Sequence, residues 1–389
     1  MNQGYDRNLI FLSLSQFGMA FSYNYVMVFM PFFIYRITPY SPEETLIWIG
    51  WIMGSANLVV AISSIFWSTL TSRFSPKWLY LIGMLIQIVL FSSMGFTSNL
   101  HILLLLRILQ GIFGGISTIG LIIISSSSPR EKIPADIGFF QAFITLGHLL
   151  GPPTGALAAS ALGYQGALLS SSALLVVVLL FCYVYLNHVP LQPRGERLFG
   201  RTMINRRTVT GWMVSFTVTA QLLFMPSILP DVLEGFDIEK PAALNWAGGL
   251  IMCYTATAIS GTFLFSRLSG KIGRNRMIVS LVLLGTLFQI LLSLSRGVLD
   301  FTIIRMLQTG FIAAASPLVI SIFAAESKGG AIGFLNSSRF AGGALGPILA
   351  TYILAQFNLT TLYLFISGLT LLPLLGFTFF FKTARDHLT

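Results

Sequence analysis

At 389 residues, 55% hydrophobic and only 9% charged, with a mean hydropathy of +0.81, the chain lies far from soluble domains, about a quarter of whose residues are charged. That composition excludes a soluble enzyme or binding module and points to a polytopic membrane protein. The net charge of +10 is scattered over short loops, so no nucleic-acid partner is expected.

A hydrocarbon core of about 30 Å needs roughly 20 helical residues to cross. Apolar runs of that length fall at 9–34, 46–70, 78–97, 100–124, 136–160 and 164–187, and then at 208–229, 243–265, 277–295, 299–324, 331–356 and 360–381. The expected fold is therefore all-α, with twelve transmembrane helices in two pseudo-symmetric six-helix bundles. Residues 1–187 form the first bundle and 208–389 the second. A connector at 188–207 carries Pro190, Pro193, Gly195, Gly200 and five arginines. The first apolar run is too long for a signal h-region and is read as helix one. Cys182 and Cys253 fall inside spans, one per half, and read as small apolar residues rather than a disulfide.

If the N-terminus is cytoplasmic, 17 of the 23 Lys and Arg residues fall on the cytoplasmic side, and only Arg36, Lys240 and Arg296 on the other. The positive-inside rule then places both termini and the connector in the cytoplasm of a cell (inner) membrane. Membrane lipid is the expected partner of this basic surface.

The halves repeat polar landmarks. Arg107-Ile-Leu-Gln110 returns 198 positions on as Arg305-Met-Leu-Gln308, and Gly147-His-Leu-Leu-Gly151-Pro152 returns 195 on as Gly342-Gly-Ala-Leu-Gly346-Pro347. Two such halves can rock about a site near the bilayer midplane. Glycines four apart form a groove for close helix approach, and a proline bends the helix and frees a carbonyl.

These residues resemble the major facilitator superfamily over nearly the whole chain. Arg107-x-x-Gln110-Gly111 is similar to the family's second signature. Gly147-x-x-x-Gly151-Pro152-x-x-Gly155 resembles the third, found in the drug:proton antiporter branch. The resemblance implies the major facilitator fold and alternating access. The first signature, Gly-x-Leu-x-Asp-Arg-x-Gly-Arg, departs from its pattern: Ser72 stands at the aspartate position and Gly270 at the matching place in the second half. In the family that acid latches the halves together through charge pairs, and this chain lacks it at both places. Arg73 and Lys77, like Lys271 and Arg274, are left to bind lipid headgroups or helix C-termini.

All thirteen acids lie in loops or at span ends, whereas Arg107, Arg305 and Arg339 lie inside spans, where an ionisable group is costly unless paired or hydrated. Two readings stand for the arginines: a cavity attractive to anionic or zwitterionic substrate, or scaffolding through hydrogen bonds to helix-terminal carbonyls, which suits Arg305 better. His148 is the histidine nearest mid-membrane and the candidate proton carrier, with a packed neutral role as the alternative. Gln110, Asn24, Asn57, Gln221, Tyr254 and Asn336 are candidate cavity-lining residues, with Gln16, Tyr23 and Gln141 beside them. Gly147, Gly151, Pro152, Gly155, Gly342, Gly346 and Pro347 are the candidate conformational motif.

The chain contains no GxxxxGKS/T loop, HExxH or metal-spaced Cys/His cluster. Neither an enzyme, a cofactor nor a metal is expected, and transport would draw on a gradient. The expected function is a secondary transporter, a multidrug-type efflux antiporter for small amphipathic organic molecules, working as a monomer with protons as candidate coupling ion. The alternatives are an organic-anion carrier, or a non-cycling transporter-like receptor or lipid-handling protein.

Overall fold

The computed structural model describes residues 3–129, 131–187, 205–238, 240–326 and 330–382. The expected connector at 188–207 lies almost wholly outside them, as does the side chain of Asn336. The described helices are α1 (Gln3–Ile37), α2 (Pro42–Leu70), α3 (Pro76–Gly95), α4 (Leu100–Ile112), α5 (Ile116–Ser127), α6 (Ile133–Tyr185) and α7 (Arg206–Leu223). They continue as α8 (Met225–Glu234), α9 (Lys240–Ile272), α10 (Arg274–Leu291), α11 (Val298–Ile312), α12 (Ala315–Glu326), α13 (Gly330–Gln356) and α14 (Leu359–Lys382).

Each expected span falls on helix. Among the described residues ten stretches are long and apolar enough to cross a membrane, and one of them, Ala135–Tyr185, runs for 51 residues. It bends at Gly163, whose φ of 71° and ψ of 169° are non-helical, a backbone conformation open to glycine without the Cβ penalty. The bend divides the stretch into two helices. The eleventh expected span lies on α13, whose 27 residues reach about 40 Å at ~1.5 Å per residue.

Three further spans are helix pairs broken midway: α4/α5 at Phe113–Gly115, α7/α8 at Phe224 and α11/α12 at Ala313–Ala314. A helix end inside a bilayer leaves carbonyls that no water can satisfy. At the end of α4 each of the last four has a partner. The Leu109 carbonyl accepts from Phe113 N at 3.1 Å and that of Gln110 from Gln87 Nε2 at 3.1 Å. The Gly111 carbonyl accepts from Ser63 Oγ at 2.7 Å and that of Ile112 from Trp67 Nε1 at 2.6 Å. Side chains of α2 and α3 therefore complete α4.

Outer ends use ordinary caps. Asn99 accepts from His101 N at 2.9 Å, Asn205 from Thr208 N at 2.7 Å and Asn358 from Thr361 N at 2.9 Å, as N-cap asparagines do. Lys77, for which lipid headgroups or a helix C-terminus were the expected partners, is buried and donates to the Tyr183 carbonyl at 3.1 Å, in the last turn of α6. A cation there offsets the negative end of α6.

Contacts divide the chain into two compact units, Met1–Pro39 with Ser55–Glu196 and Lys240–Met252, and Tyr40–Gly54 with Arg197–Glu239 and Cys253–Thr389. Relative to the halves 1–187 and 208–389, two short segments are exchanged. The first unit's core gathers Leu12, Tyr80, Met84, Ile116, Ile123 and Phe140. The second gathers Val214, Ile278, Val282, Ile312, Val319 and Phe377. Exposed residues such as Leu157, Leu180, Leu287 and Leu372 suit a lipid-facing surface, where burying apolar area between helices yields little.

The glycine motifs act as close-packing seams. A Cβ on Gly147 would stand 2.7 Å from Phe21 N of α1, one on Gly151 would stand 2.8 Å from the Phe21 carbonyl, and Gly155 abuts the Tyr25 backbone. In the second unit a Cβ on Gly342 would stand 2.9 Å from Ala220 N of α7, and one on Gly346 would stand 2.9 Å from the Ala220 carbonyl. In both, the obstacle is backbone, which cannot rotate aside. Gly151→Leu is accordingly expected to lower the melting temperature by more than the about 1–3 kcal/mol of ordinary overpacking implies and to abolish transport. Thermal unfolding and flux measured on the purified variant check this, and wild-type values for both would refute the seam.

Candidate substrate and coupling site

The first unit holds a buried polar cluster between α1, α3 and α4. Asn99 sets the start of α4, and Arg107 and Gln110, three apart, share one helix face. Arg107 is fully buried. Its guanidinium donates to Gln110 Oε1, to Tyr23 OH at 3.2 Å and to Met27 Sδ at 3.4 Å, and lies 5.3 Å from the Tyr23 ring centroid, within cation–π range. Nearby, Gln16 Nε2 donates to Tyr80 OH at 2.8 Å, Gln16 Oε1 accepts from Ser117 Oγ at 2.7 Å, and Ser15 and Tyr80 share a further hydrogen bond. Gln16 is thus held within the bundle.

The second unit repeats the pairing with a different outcome. Arg305, also fully buried, donates from Nη1 to Gln308 Oε1 at 2.7 Å and from Nη2 to the Leu222 carbonyl at 2.8 Å. It also lies 3.4 Å from the Gln221 carbonyl. Leu222 is the carbonyl that Pro226, lacking an N–H, leaves without its helical donor. The guanidinium supplies that donor, and sits 5.3 Å from the Phe224 ring and 5.0 Å from the Tyr254 ring. Gln221 Nε2 donates to the Gly285 carbonyl at 3.2 Å. Thr309 Oγ1 lies 3.0 Å from the Tyr254 carbonyl and 3.1 Å from Thr257 Oγ1. Arg305, Gln308, Gln221 and Tyr254 therefore form one cluster.

The remaining candidates are placed as follows. Asn24 is half-buried and donates to the Ala20 carbonyl at 2.8 Å, with its Cβ against Gly151. Asn57 is half-buried on α2. His148 and Gln141 are exposed on α6, seven residues apart and so on one helix face, and Arg339 is exposed on α13. Arg73 is exposed beside α3, while the Pro347 carbonyl accepts from Thr351 Oγ1 at 3.0 Å. Both cysteines are free thiols. Among the described residues no group of three or more His, Cys, Asp or Glu is placed to share a metal ion.

Two participants escaped the sequence reading, Gln87 on α3 and Gln289 on α10, both buried. A signal exists. Leu81-Ile-Gly83-Met-Leu-Ile-Gln87-Ile88 returns 202 positions on as Leu283-Leu-Gly285-Thr-Leu-Phe-Gln289-Ile290.

The two arginines predict different responses to lysine. Arg305 bridges backbone carbonyls that a single ammonium cannot span, so Arg305→Lys is expected to cost about 2–3 kcal/mol, the scale of hydrogen bonds to a charged group. Arg107 meets side chains that can re-pair, so Arg107→Lys is expected to cost less stability. Denaturation midpoints of the two variants, measured in parallel, check this ranking, and equal losses would contradict it.

Comparisons with known proteins bear on the whole chain. It is 24% identical to the multidrug resistance protein MdtG of a Rahnella species, over 98% of this chain and 95% of that protein. It is 25% identical to MdtG of an Escherichia coli strain, over 94% and 92% respectively. Among solved structures, the nucleoside transporter NupG matches with a TM-score of 0.78 at 14% identity, covering 98% of this chain and 100% of that one. A D-xylose–proton symporter matches at 0.74 and 15%, covering 95% and 96%. The family model described as Major Facilitator Superfamily matches residues 12–307 and 213–389. With its apolar helices and transporter fold, the chain is an integral, multi-pass membrane protein that belongs to the Major Facilitator Superfamily of transporters.

Proposed function

We propose that the protein is a secondary active exporter of small amphipathic organic molecules, a multidrug-type antiporter that works by alternating access. The observation that carries this reading is the seam of Gly147, Gly151 and Gly155 against the α1 backbone, formed by the residues that resemble the antiporter-branch signature. Backbone-to-backbone contact joins α1 and α6 into one stiff piece, and rigid pieces rocking about a fixed site are what alternating access requires. The multidrug resistance relatives, matched over more than nine-tenths of the chain, support the same reading. The distribution of Lys and Arg supports a bacterial inner-membrane protein with both termini in the cytoplasm.

In this reading Arg107 and Gln110 organise the substrate pathway from within the first unit. Exposed polar residues inside spans, Gln141 and His148 on α6 and, in the other unit, Arg339 on α13, each face water in this reading, because lipid disfavours them. His148 is the proposed proton carrier, because histidine is the side chain whose unperturbed charge change falls between about pH 5 and 8. A second reading, an organic-anion carrier, is favoured by the exposed Arg339 together with the confinement of the acids to loops and span ends.

Reconstitution into proteoliposomes under an imposed pH gradient tests both. A lipophilic cationic dye is expected to move uphill when protons move down their gradient, whereas gradient-driven movement of organic anions alone would select the second reading. Absence of gradient-dependent flux of either would reject transport coupled to protons. His148→Ala is expected to abolish uphill movement yet leave downhill exchange, and an unchanged pH dependence would move the coupling to another residue such as Asp136.

A further inference from the structure

The second unit's polar cluster is under-satisfied in a patterned way. Gln289 is fully buried, yet neither its Oε1 nor its Nε2 has a partner. Its counterpart Gln87 uses its amide to complete α4. Helices α10 and α11 are consecutive, and where Gly285 lacks a side chain a Cβ would stand 2.8 Å from Ile312 Cβ. One turn from that crossing toward the shared connection lie Gln289 on α10 and Gln308 on α11, so the antiparallel register brings the two residues to the same level of the helix pair.

Arg305 joins them through Gln308 Oε1, and Gln221 reaches across from α7 to the Gly285 carbonyl. Around this knot Arg305 Nε, Gln308 Nε2, Gln289 Nε2 and Thr286 Oγ1 are enclosed without partners, together with the amide oxygens of Gln221 and Gln289. Native interiors tolerate few such atoms, because each loses its water without replacement. Donors predominate. Among the described residues Arg305 meets neutral acceptors and aromatic rings and no carboxylate, so its full positive charge is uncompensated in a low-dielectric interior.

Surplus donors beside an unpaired cation call for an acceptor that carries negative charge. The surrounding helices enclose the knot on all sides, which restricts the ligand to a small one. We propose that the α7/α10/α11 knot is an internal site for a small monovalent anion of the halide class, bound by Arg305 Nε, Gln308 Nε2, Gln289 Nε2 and Thr286 Oγ1. The two amide oxygens are left for water that accompanies the ion. Such an ion neutralises Arg305 and stabilises the break between α7 and α8. It is a fixed component of the second unit and is independent of the transported molecule.

The full-length protein in detergent, melted in sodium chloride, sodium bromide and sodium gluconate at equal ionic strength, tests the site. A melting temperature several degrees higher in either halide is expected, rising with halide concentration as binding to the folded state requires. Gln289→Leu and Thr286→Val replace enclosed unpaired polar groups with apolar ones of similar size. Each is expected to fold in gluconate and to lose the halide response. Equal melting temperatures in halide and gluconate, or a halide response undiminished in both variants, would overturn the proposal and leave the knot with water alone. Crystals grown in bromide give a readout free of substitutions: an anomalous peak beside Arg305 Nε is expected, and its absence overturns the site.

Discussion

Inside a bilayer a broken helix has no water to complete it, so every break must be answered by the protein itself. That constraint organises both units. The end of α4 is completed by Ser63, Trp67 and Gln87, which fixes α2 and α3 against it. The break after α7 is completed by Arg305 from α11. Ser63, Trp67, Gln87 and Arg305, which look anomalous in apolar runs, are thus the partners of particular carbonyls. The cost of placing them in the membrane is offset by the larger cost of the carbonyls they satisfy.

Glycine supplies the complementary constraint. A polar side chain fixes the ends of the broken helices, whereas the pairs α1 with α6 and α7 with α13 are held along their length by absent side chains that let backbones touch. In lipid there is little gain from burying apolar surface between helices, so contact area and closeness of fit carry the association. The seam residues in α6 recur every four positions, keeping one face of the helix on α1 for two turns. His148, one residue from the seam glycine Gly147, is turned to the exposed side. One short motif therefore sets both a rigid contact and an accessible polar face.

Much of this was legible in sequence because length and polarity are strong signals in membranes. The twelve apolar runs fall on helix, and the separation between 160 and 164 meets the bend at Gly163. The breaks within single spans were not legible: Gly114 and Gly115 sit in a run apolar enough to read as one helix, and only the completed carbonyls reveal the interruption. Lys77 was open in sequence between lipid headgroups and a helix C-terminus, and only the fold shows that the Tyr183 carbonyl near the end of α6 receives it. Gln87 and Gln289 each look like a tolerated polar residue alone, and only their shared spacing from Gly83 and Gly285 marks them as a repeated feature.

The two arginines show how a repeated signature separates into different roles. Pro31 and Pro226 stand 195 positions apart, the same offset as the glycine motifs, and each weakens its helix at the residue four before it, Met27 or Leu222. Both arginines reach that residue, Arg305 through the Leu222 carbonyl and Arg107 through the Met27 sulfur. But α1 runs unbroken through Pro31, whereas the second half breaks at Phe224. Arg305 is consequently committed to backbone groups that have no other donor. Arg107 holds Tyr23, Gln110 and Met27 through side-chain atoms that can rotate away. A guanidinium held by side-chain partners can transfer those hydrogen bonds to an incoming ligand without unravelling a helix, and on that ground we propose Arg107, rather than its equally buried counterpart, as the arginine that takes part in a transport cycle.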